Sequence, residues 1–439
     1  MSFLHTHSSE CLKSELDRFT LPPTQASIES SQWIHYKPVF SLTDDAPIEF
    51  VVSGHGEEYI NLAHTVLSLR IRVETETAAG AAGAKVGPVN HILHSMFNQI
   101  DIYFNQKLVS PPNNAYAYRA YIEALLNYIS PVKTSHLASC LWYNDTAGNM
   151  DALPGATPCN HGLDKRAAFL QGGRTLDLIG HLHCDVFNQD KFLINGVEVR
   201  MRLVRSKDSF YLMEGNTMSR ISVLDATLLI RRARINPGIL LAHTKMLTRT
   251  TAKYPLTRVE VKLFTIHSGV VGETLDNVIL GQIPKRIIVG FVDNKAFNGA
   301  RHLNPFNFQH YGINFFSLYV DGTQIPSRPL QPKFSGNEML YAEAYHTLFS
   351  GTSIHFLNET NSISREDYPA GYTLFAFDLT PDLSANCAAQ WNLVKHGSLR
   401  MEIRFEKALR TTINCLVYAE FESVLEIDSS RQVIVDYSG

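Results

Sequence analysis

Two distant stretches of the chain share one pattern, VEVRMRL at residues 197–203 and LRMEIRF at residues 399–405. In both stretches apolar side chains alternate with charged ones. Because successive side chains of a β-strand point to opposite faces, each stretch predicts a strand with one buried face. The matching positions lie about 200 residues apart, so the pair also indicates an internal repeat.

Most of the remaining chain follows the same two-residue period. Further strands are predicted at 48–53, 66–73, 100–105, 176–184, 221–231, 259–267, 286–292, 315–320, 372–379 and 412–422, with turn residues between them. Asp321-Gly322, after an apolar run, predicts a hairpin. Helices are predicted at 115–129 and 237–247, the second with Asn236 as N-cap and Pro237 at the first helical position.

Four more weak matches support the repeat because they occur in the same order in both halves. They pair Phe50 with Phe264, 102–105 with 318–321, 121–124 with 341–344, and 175–176 with 373–374. The spacing of the matches falls by about 22 residues after the third one. The first copy therefore carries an insertion near 130–172, where little alternation is visible, and a long exposed loop is predicted there.

The predicted fold class is all-β, with two tandem eight-stranded antiparallel jelly-roll domains and short helices in the loops. Other sandwiches or barrels of this size fit the same pattern. The predicted divisions are an N-terminal arm at 1–44, a first jelly-roll at 45–235, a helical connector at 236–252, and a second jelly-roll with a C-terminal tail at 253–439. The arm is assigned because residues 1–44 lack regular alternation.

Composition narrows the possible functions. The 439 residues include 39 Lys+Arg and 42 Asp+Glu, a net charge of −3, which argues against a protein that coats nucleic acid. Charged residues make up 18% of the chain, against about 25% in typical soluble domains, and this suggests surfaces covered by partners. Six scattered cysteines without a CxxC pair argue against a disulfide framework or a structural zinc site. The N-terminal residues lack a signal-peptide pattern, so an intracellular, reducing setting is expected.

Several residue groups are candidate sites. His181 and His183 would share a strand face, and His91 and His94 form an HxxH pair, but neither pair has further ligands at a recognisable spacing. Basic residues at 200, 202, 205 and 207 and at 231, 232 and 234 could contact DNA, although a solvated face or an intersubunit ion pair is favoured. Tyr118 and Tyr121 are interpreted as core or trimer contacts. No catalytic, cofactor-binding or metal-ligating residue is therefore predicted, and no enzyme activity is expected.

Several segments resemble the major capsid protein of Polinton (Maverick) elements and the related adintoviruses. They are residues 13–17 and 22–25, 46–50 with Gly54 and 59–62, 281–286, 296–299, 304–308, 318–322, 329–332, 371–379 and 426–428. The resemblance covers nearly the whole chain and is densest in its second half.

The resemblance implies a double jelly-roll major capsid protein that forms homotrimers. Three chains would supply six similar domains, so the trimer would be a pseudo-hexamer that tiles an icosahedral shell around double-stranded DNA. The implied partners are further copies of the chain, neighbouring trimers and a penton-type single jelly-roll minor capsid protein. Contact with packaged DNA would be weak and non-specific at most, and membrane association is left open. The implied location is the virion. The arm at 1–44 would lie on the inner side of the shell and connect neighbouring trimers or a minor protein.

Two alternatives stay open. The first is a cellular two-domain jelly-roll that binds ligands, such as a lectin-like protein. The second is a capsid protein that a host has retained from a mobile element for another role.

Overall fold

The computed structural model describes residues 8–9, 11–43, 46–76, 85–111, 115–215, 218–354, 361–387 and 390–435. The strands are β1 Ile28–Tyr36, β2 Ile48–Val52, β3 Glu58–Glu76, β4 Gly87–Pro88, β5 Phe97–Phe104, β6 Lys107–Leu108, β7 Thr175–His181, β8 Val199–Arg205, β9 Leu212–Met213, β10 Met218–Ile235, β11 Ala252–Ile266, β12 Gly272–Gln282, β13 Arg286–Asp293, β14 Ile313–Val320, β15 Thr323–Leu330, β16 Leu374–Asp378, β17 His396–Phe405, β18 Ile413–Ile427 and β19 Val433–Val435. The α-helices are α1 Ile92–Ser95, α2 Tyr116–Asn127, α3 Ser130–Lys133, α4 His161–Leu170, α5 Asp208–Tyr211, α6 Pro237–Leu247, α7 Asn294–Phe297 and α8 Ala342–Ser350. Short 3₁₀ turns occur at Ser14–Leu16, His136–Cys140, Gln171–Gly173, Asp185–Phe187 and Tyr368–Ala370.

Within the described residues, sixteen strands form two pairs of four-stranded antiparallel sheets, and β4 and β9 pair in a separate two-stranded sheet. In the first half the sheet orders are β1-β10-β3-β7 and β2-β8-β5-β6. In the second half they are β11-β18-β13-β16, with β19 also paired to β18, and β12-β17-β14-β15. When β4, β9 and β19 are left out and the remaining eight strands of each half are numbered in chain order, both halves have the same sheets, 1-8-3-6 and 2-7-4-5. This is the jelly-roll arrangement, so the chain is a double jelly-roll and the predicted fold class is confirmed.

The two stretches that first indicated the repeat are the matching strands β8 and β17. Val199, Met201 and Leu203 are buried, and so are Leu399, Met401 and Ile403. Arg200 and Arg404 on the opposite faces are exposed. The alternation in the sequence therefore corresponds to one buried and one solvent-exposed strand face in both jelly-rolls.

Four of the five repeat matches fall on equivalent parts of the two halves, in the β5/β14, α2/α8, β7/β16 and β8/β17 regions. The match of Phe50 with Phe264 is wrong. Phe50 lies in β2, the second strand of its jelly-roll, whereas Phe264 lies in β11, the first strand of the other. A single aromatic residue in an alternating segment fits any half-buried strand, which explains the error.

The predicted arm at 1–44 is too long at its C-terminal end. Residues 28–36 form β1, which pairs with β10 at the edge of the first sheet. Residues 1–7, 10 and 44 lie outside the described residues. From 11 to 27 every residue is exposed, so within the described residues the arm is limited to the segment before Ile28. The other predicted domain limits stay predictions.

The insertion near 130–172 occurs where the repeat places it, between α2 and β7, but the prediction of an exposed loop is wrong. It contains α3 and α4, and Trp142, Met150 and Leu163 are buried. The insertion is compact because isolated large side chains anchor it, and such anchors leave no periodic signal in the sequence.

The predicted hairpin at Asp321-Gly322 joins β14 to β15. Asp321 has φ 47° and Gly322 has φ 82°, the two positive values of a type I′ turn.

We expect Gly322→Ala to lower the free energy of unfolding by about 1 kcal/mol, because an L-residue is disfavoured in the left-handed region. Gly215→Ala is the matched control, since the added methyl group would meet only Leu153 at 3.9 Å. Urea midpoints measure both variants. An equal effect at the two positions would contradict the turn assignment.

Candidate functional site at the junction of the two jelly-rolls

Helix α2 lies where the two jelly-rolls meet. Its residues from Tyr116 to Leu126 are all buried, including the charged Arg119 and Glu123. Tyr121 stacks on Phe306 of the second half, with ring centroids 4.2 Å apart and planes 1° apart. Tyr118 stacks on Phe297 of helix α7, also in the second half, with ring centroids 5.6 Å apart. Of the two roles expected for these tyrosines, core or trimer contacts, both side chains have the first, and the helix joins the two domains.

The charged residues of α2 form a buried network that reaches across the junction. Arg119 pairs with Glu123 at 2.9 Å and with Asp185 at 2.7 Å. Tyr418 of β18 donates a hydrogen bond to Glu123 at 3.2 Å. Burial acts to raise the pKa of Glu123, but Arg119 and the hydrogen bond from His183 outweigh it and lower this pKa to about 2. The network therefore holds a permanent carboxylate at the domain junction.

The insertion adds a second set of polar contacts between the domains. Asp145 pairs with Arg166 at 2.6 Å, and both side chains are fully buried. The other oxygen of Asp145 accepts a hydrogen bond from Asn304 at 3.1 Å, and its main-chain oxygen accepts one from Tyr372 at 2.7 Å. The amide of Asn307 also donates to Asp151 at 2.7 Å. These contacts tie the insertion of the first jelly-roll to loops of the second.

The structure regroups the histidines that the sequence placed in pairs. His181 ends β7 and is exposed, whereas His183 is buried, so the two do not form the predicted shared strand face. His183 instead joins His91 and His94, and one ring nitrogen of each lies within 4.8 Å of the others. Burial lowers the pKa values of His91 and His94 well below the usual histidine range, and the neighbouring imidazoles lower them further. Sequence reasoning considered these residues but did not predict this combination.

A cavity of about 1140 Å³ opens beside the histidines. Its wall includes His94, His183 and Glu123 from the first half and Arg286 and Glu420 from the second. The cavity is therefore large enough to hold water molecules at the domain junction, next to the imidazole cluster.

Most basic residues considered for DNA contact have partners within the chain. Arg202 lies 3.6 Å from Glu49, and Arg205 donates to the main-chain oxygen of Ile221 at 2.6 Å.

Arg234 lies 3.4 Å from Glu29 of β1. Arg231 donates to Ser31, and Arg232 donates to Tyr36. Arg200 and Lys207 are exposed. These pairings favour an ordinary structural role for the two basic strand faces.

Two exposed apolar segments are candidate contact surfaces with other chains. The first lies before β1 and presents Phe19, 97% exposed, and Leu21, 92% exposed. The second lies between β16 and β17 and presents Trp391 and Leu393. Large apolar side chains grouped on a surface mark interaction sites in soluble proteins. Within the described residues, no helix has both the length and the apolar character needed to cross a bilayer.

No protein-family model matches the chain. The uncharacterized protein F54H12.2 of Caenorhabditis elegans is 27% identical over 434 residues, covering 95% of this chain and 99% of that protein.

Several similar solved structures come from viruses. A chain of the Sputnik virophage structure has a TM-score of 0.67 at 11% identity and covers 100% of this chain and 94% of its own. A chain of the PBCV-1 virus capsid has a TM-score of 0.60 at 9% identity, with coverages of 96% and 100%. The mavirus major capsid protein has a TM-score of 0.57 at 10% identity, with coverages of 99% and 97%. In fold, the chain is therefore a double jelly-roll of the kind found in viral major capsid proteins.

Proposed function

We propose that the protein is a major capsid protein that forms homotrimeric, pseudo-hexameric capsomers of an icosahedral shell around double-stranded DNA. The observation that carries the proposal is the repeated topology. Two jelly-rolls with the same strand order span the chain, and the capsid chains it resembles align with it almost end to end. Three copies of such a chain would present six similar domains around a three-fold axis.

The junction between the domains supports this role. A pseudo-hexamer requires a fixed angle between the two jelly-rolls of each chain. Buried contacts from Glu123 to Tyr418, from Asp145 to Asn304 and from Tyr121 to Phe306 oppose movement of one domain against the other. We therefore propose a structural protein without catalytic activity, located in the virion.

The exposed apolar segments support contacts with other chains. The arm before Ile28 would reach neighbouring trimers, and the segment around Trp391 would contribute to contacts within or between capsomers. A penton-type single jelly-roll protein would close the vertices. Contact with DNA would be weak, because most of the basic strand residues pair with acceptors of the same chain.

The genetic source is also part of the proposal. Resemblance to Polinton and adintovirus capsid proteins and a nearly full-length relative in a nematode favour a capsid gene carried by a mobile element of an animal genome. The same relative keeps a second candidate open, a capsid protein retained by a host. Nuclease-protected element DNA in particles purified from expressing cells would support the first candidate. Particles without such DNA would support the second.

The test is the mass of the full-length recombinant chain in solution, followed by negative-stain imaging of the same sample. We expect three times the chain mass of 49.3 kDa and particles with a hexagonal outline or closed shells. A stable monomer at high concentration would contradict the capsomer proposal. Glycan binding by that monomer would instead support the lectin-like alternative.

A further inference from the structure

The three histidines at the domain junction come from separate parts of the chain. His91 is the N-cap of the short helix α1, His94 lies within that helix, and His183 follows β7. Their ring centroids lie 4.2 Å apart for His91 and His94, 4.8 Å for His94 and His183, and 5.5 Å for His91 and His183. Three buried imidazoles face one another at close range.

His91 gives the first sign that the cluster binds a ligand. Its side chain is 1% exposed, and neither ring nitrogen has a hydrogen-bond partner among the described residues. Buried polar atoms of native proteins are nearly always satisfied, so an imidazole with two unsatisfied nitrogens needs an explanation. A ligand that accepts the lone pair of one ring nitrogen would satisfy one of these two nitrogens.

The partners of the other two histidines give the second sign. One carboxylate oxygen of Glu123 lies 2.6 Å from Nδ1 of His183, and the hydroxyl of Tyr116 lies 2.9 Å from Nδ1 of His94. When Nδ1–H donates to these oxygens, the lone pair of each ring is on Nε2. Histidines that bind metals are oriented in this way by a carboxylate or another oxygen behind the ring.

We propose that His91, His94 and His183 bind one divalent transition-metal ion, Zn²⁺ by preference, through one ring nitrogen each. Three neutral imidazoles suit zinc and its neighbours in the first transition series rather than Mg²⁺ or Ca²⁺, which take oxygen ligands. A fourth position would be filled by water from the adjacent cavity.

The required adjustment is small. With zinc–nitrogen distances of about 2.0–2.1 Å, ligand nitrogens of a tetrahedral site lie about 3.4 Å apart. The nitrogens of the cluster lie within 4.8 Å of one another, so the rings need to close by little more than an ångström. A bound ion would connect α1 to the end of β7 and, through His183 and Glu123, to Tyr418 of the second jelly-roll. It would act as a structural clamp at the domain junction.

The test uses the full-length chain without a polyhistidine tag. The protein is stripped with a chelator, reloaded with Zn²⁺ in the presence of a competing colorimetric chelator, and assayed by elemental mass spectrometry. We expect one zinc ion per chain. His91→Ala should reduce the affinity by at least about 100-fold, and Glu123→Gln by about 10–100-fold, since Glu123 acts through His183.

His181→Ala is the matched control, because His181 borders the same cavity but lies outside the cluster. It should keep the wild-type affinity. Equal losses in His181→Ala and His91→Ala, or absence of stoichiometric Zn²⁺ binding by the wild type, would overturn the proposal.

A measurement on the wild type alone covers the case in which a variant fails to fold. X-ray absorption of the zinc-loaded protein should show imidazole nitrogen ligands without sulfur. Sulfur in the first coordination shell would place the ion at a cysteine and overturn the proposal. Zinc stoichiometry, zinc affinity and the absorption spectrum are properties of the single chain. Their outcome is therefore independent of whether the chain assembles into capsids.

Discussion

Replacing Asp145 with alanine is expected to lower the free energy of unfolding by about 3–5 kcal/mol. The change leaves the guanidinium of Arg166 buried without its carboxylate, and a buried unpaired charge is far more costly than a lost surface contact. It also removes acceptors for the side-chain amides of Asn160 and Asn304. Because Asn304 belongs to the second half of the chain, the variant should loosen the domain junction as well as the insertion.

Asp225→Ala is the matched control. Asp225 also pairs with a cation, Lys37 at 2.7 Å, but that pair is exposed to solvent, and exposed pairs contribute about 0–1 kcal/mol. Urea unfolding followed by tryptophan fluorescence measures both variants, and limited proteolysis reports opening of the junction. Similar midpoints for Asp145→Ala and Asp225→Ala would contradict the assigned role of the buried pair.

The fold was predictable to the extent that strands bury one face. All twelve predicted strands correspond to strands of the structure. The four jelly-roll strands that were not predicted, β1, β6, β12 and β15, all lie at sheet edges. The side chains of β1 and β12 are mostly exposed and their burial is irregular. Because neither strand has a continuous buried face, their sequences show little alternation of apolar and polar residues. An edge strand is positioned by hydrogen bonds to one neighbouring strand, and the periodicity of the sequence does not reveal this pairing.

The junction was less predictable, for a different physical reason. Its histidines come from α1, from the residue before α1 and from the segment after β7, so no fixed spacing along the chain links His91 and His94 to His183. A weak signal was present in α2. Arg119 and Glu123 lie four residues apart among almost entirely apolar neighbours, and charges within an apolar helix indicate a buried ion pair. Their partners Asp185 and Tyr418 are distant in sequence, so the tertiary structure alone reveals the network.

Under the proposed capsid function, removal of residues 1–25 is expected to leave the capsomer intact and abolish closed shells. The deletion ends before Ile28, so β1 keeps its pairing with β10 and the first jelly-roll keeps its edge strand. A deletion of residues 1–44 would remove β1 as well and would confuse loss of the arm with damage to the sheet.

The physical reason lies in four apolar side chains of the arm, Leu12, Leu16, Phe19 and Leu21, which are all exposed in the single chain. Each would contribute about 1.5–3 kcal/mol if fully buried against a neighbouring capsomer. Without them, contacts between capsomers lose much of their apolar area, while contacts inside the capsomer are unchanged. Electron microscopy of assembly reactions and the solution mass of the unassembled fraction measure the two effects separately.

A substitution series separates the apolar side chains from the length of the arm. Changing the four apolar residues together to serine should reproduce the deletion, whereas changing the charged residues Lys13, Glu15 and Arg18 of the same segment to alanine should leave assembly near the wild-type level. Normal shells from the deletion would show that the arm does not connect capsomers. If the serine variant assembled normally while the deletion did not, main-chain contacts of the arm would be responsible rather than its apolar side chains. If the deletion failed to form even the capsomer, the arm would belong to the contacts within the trimer.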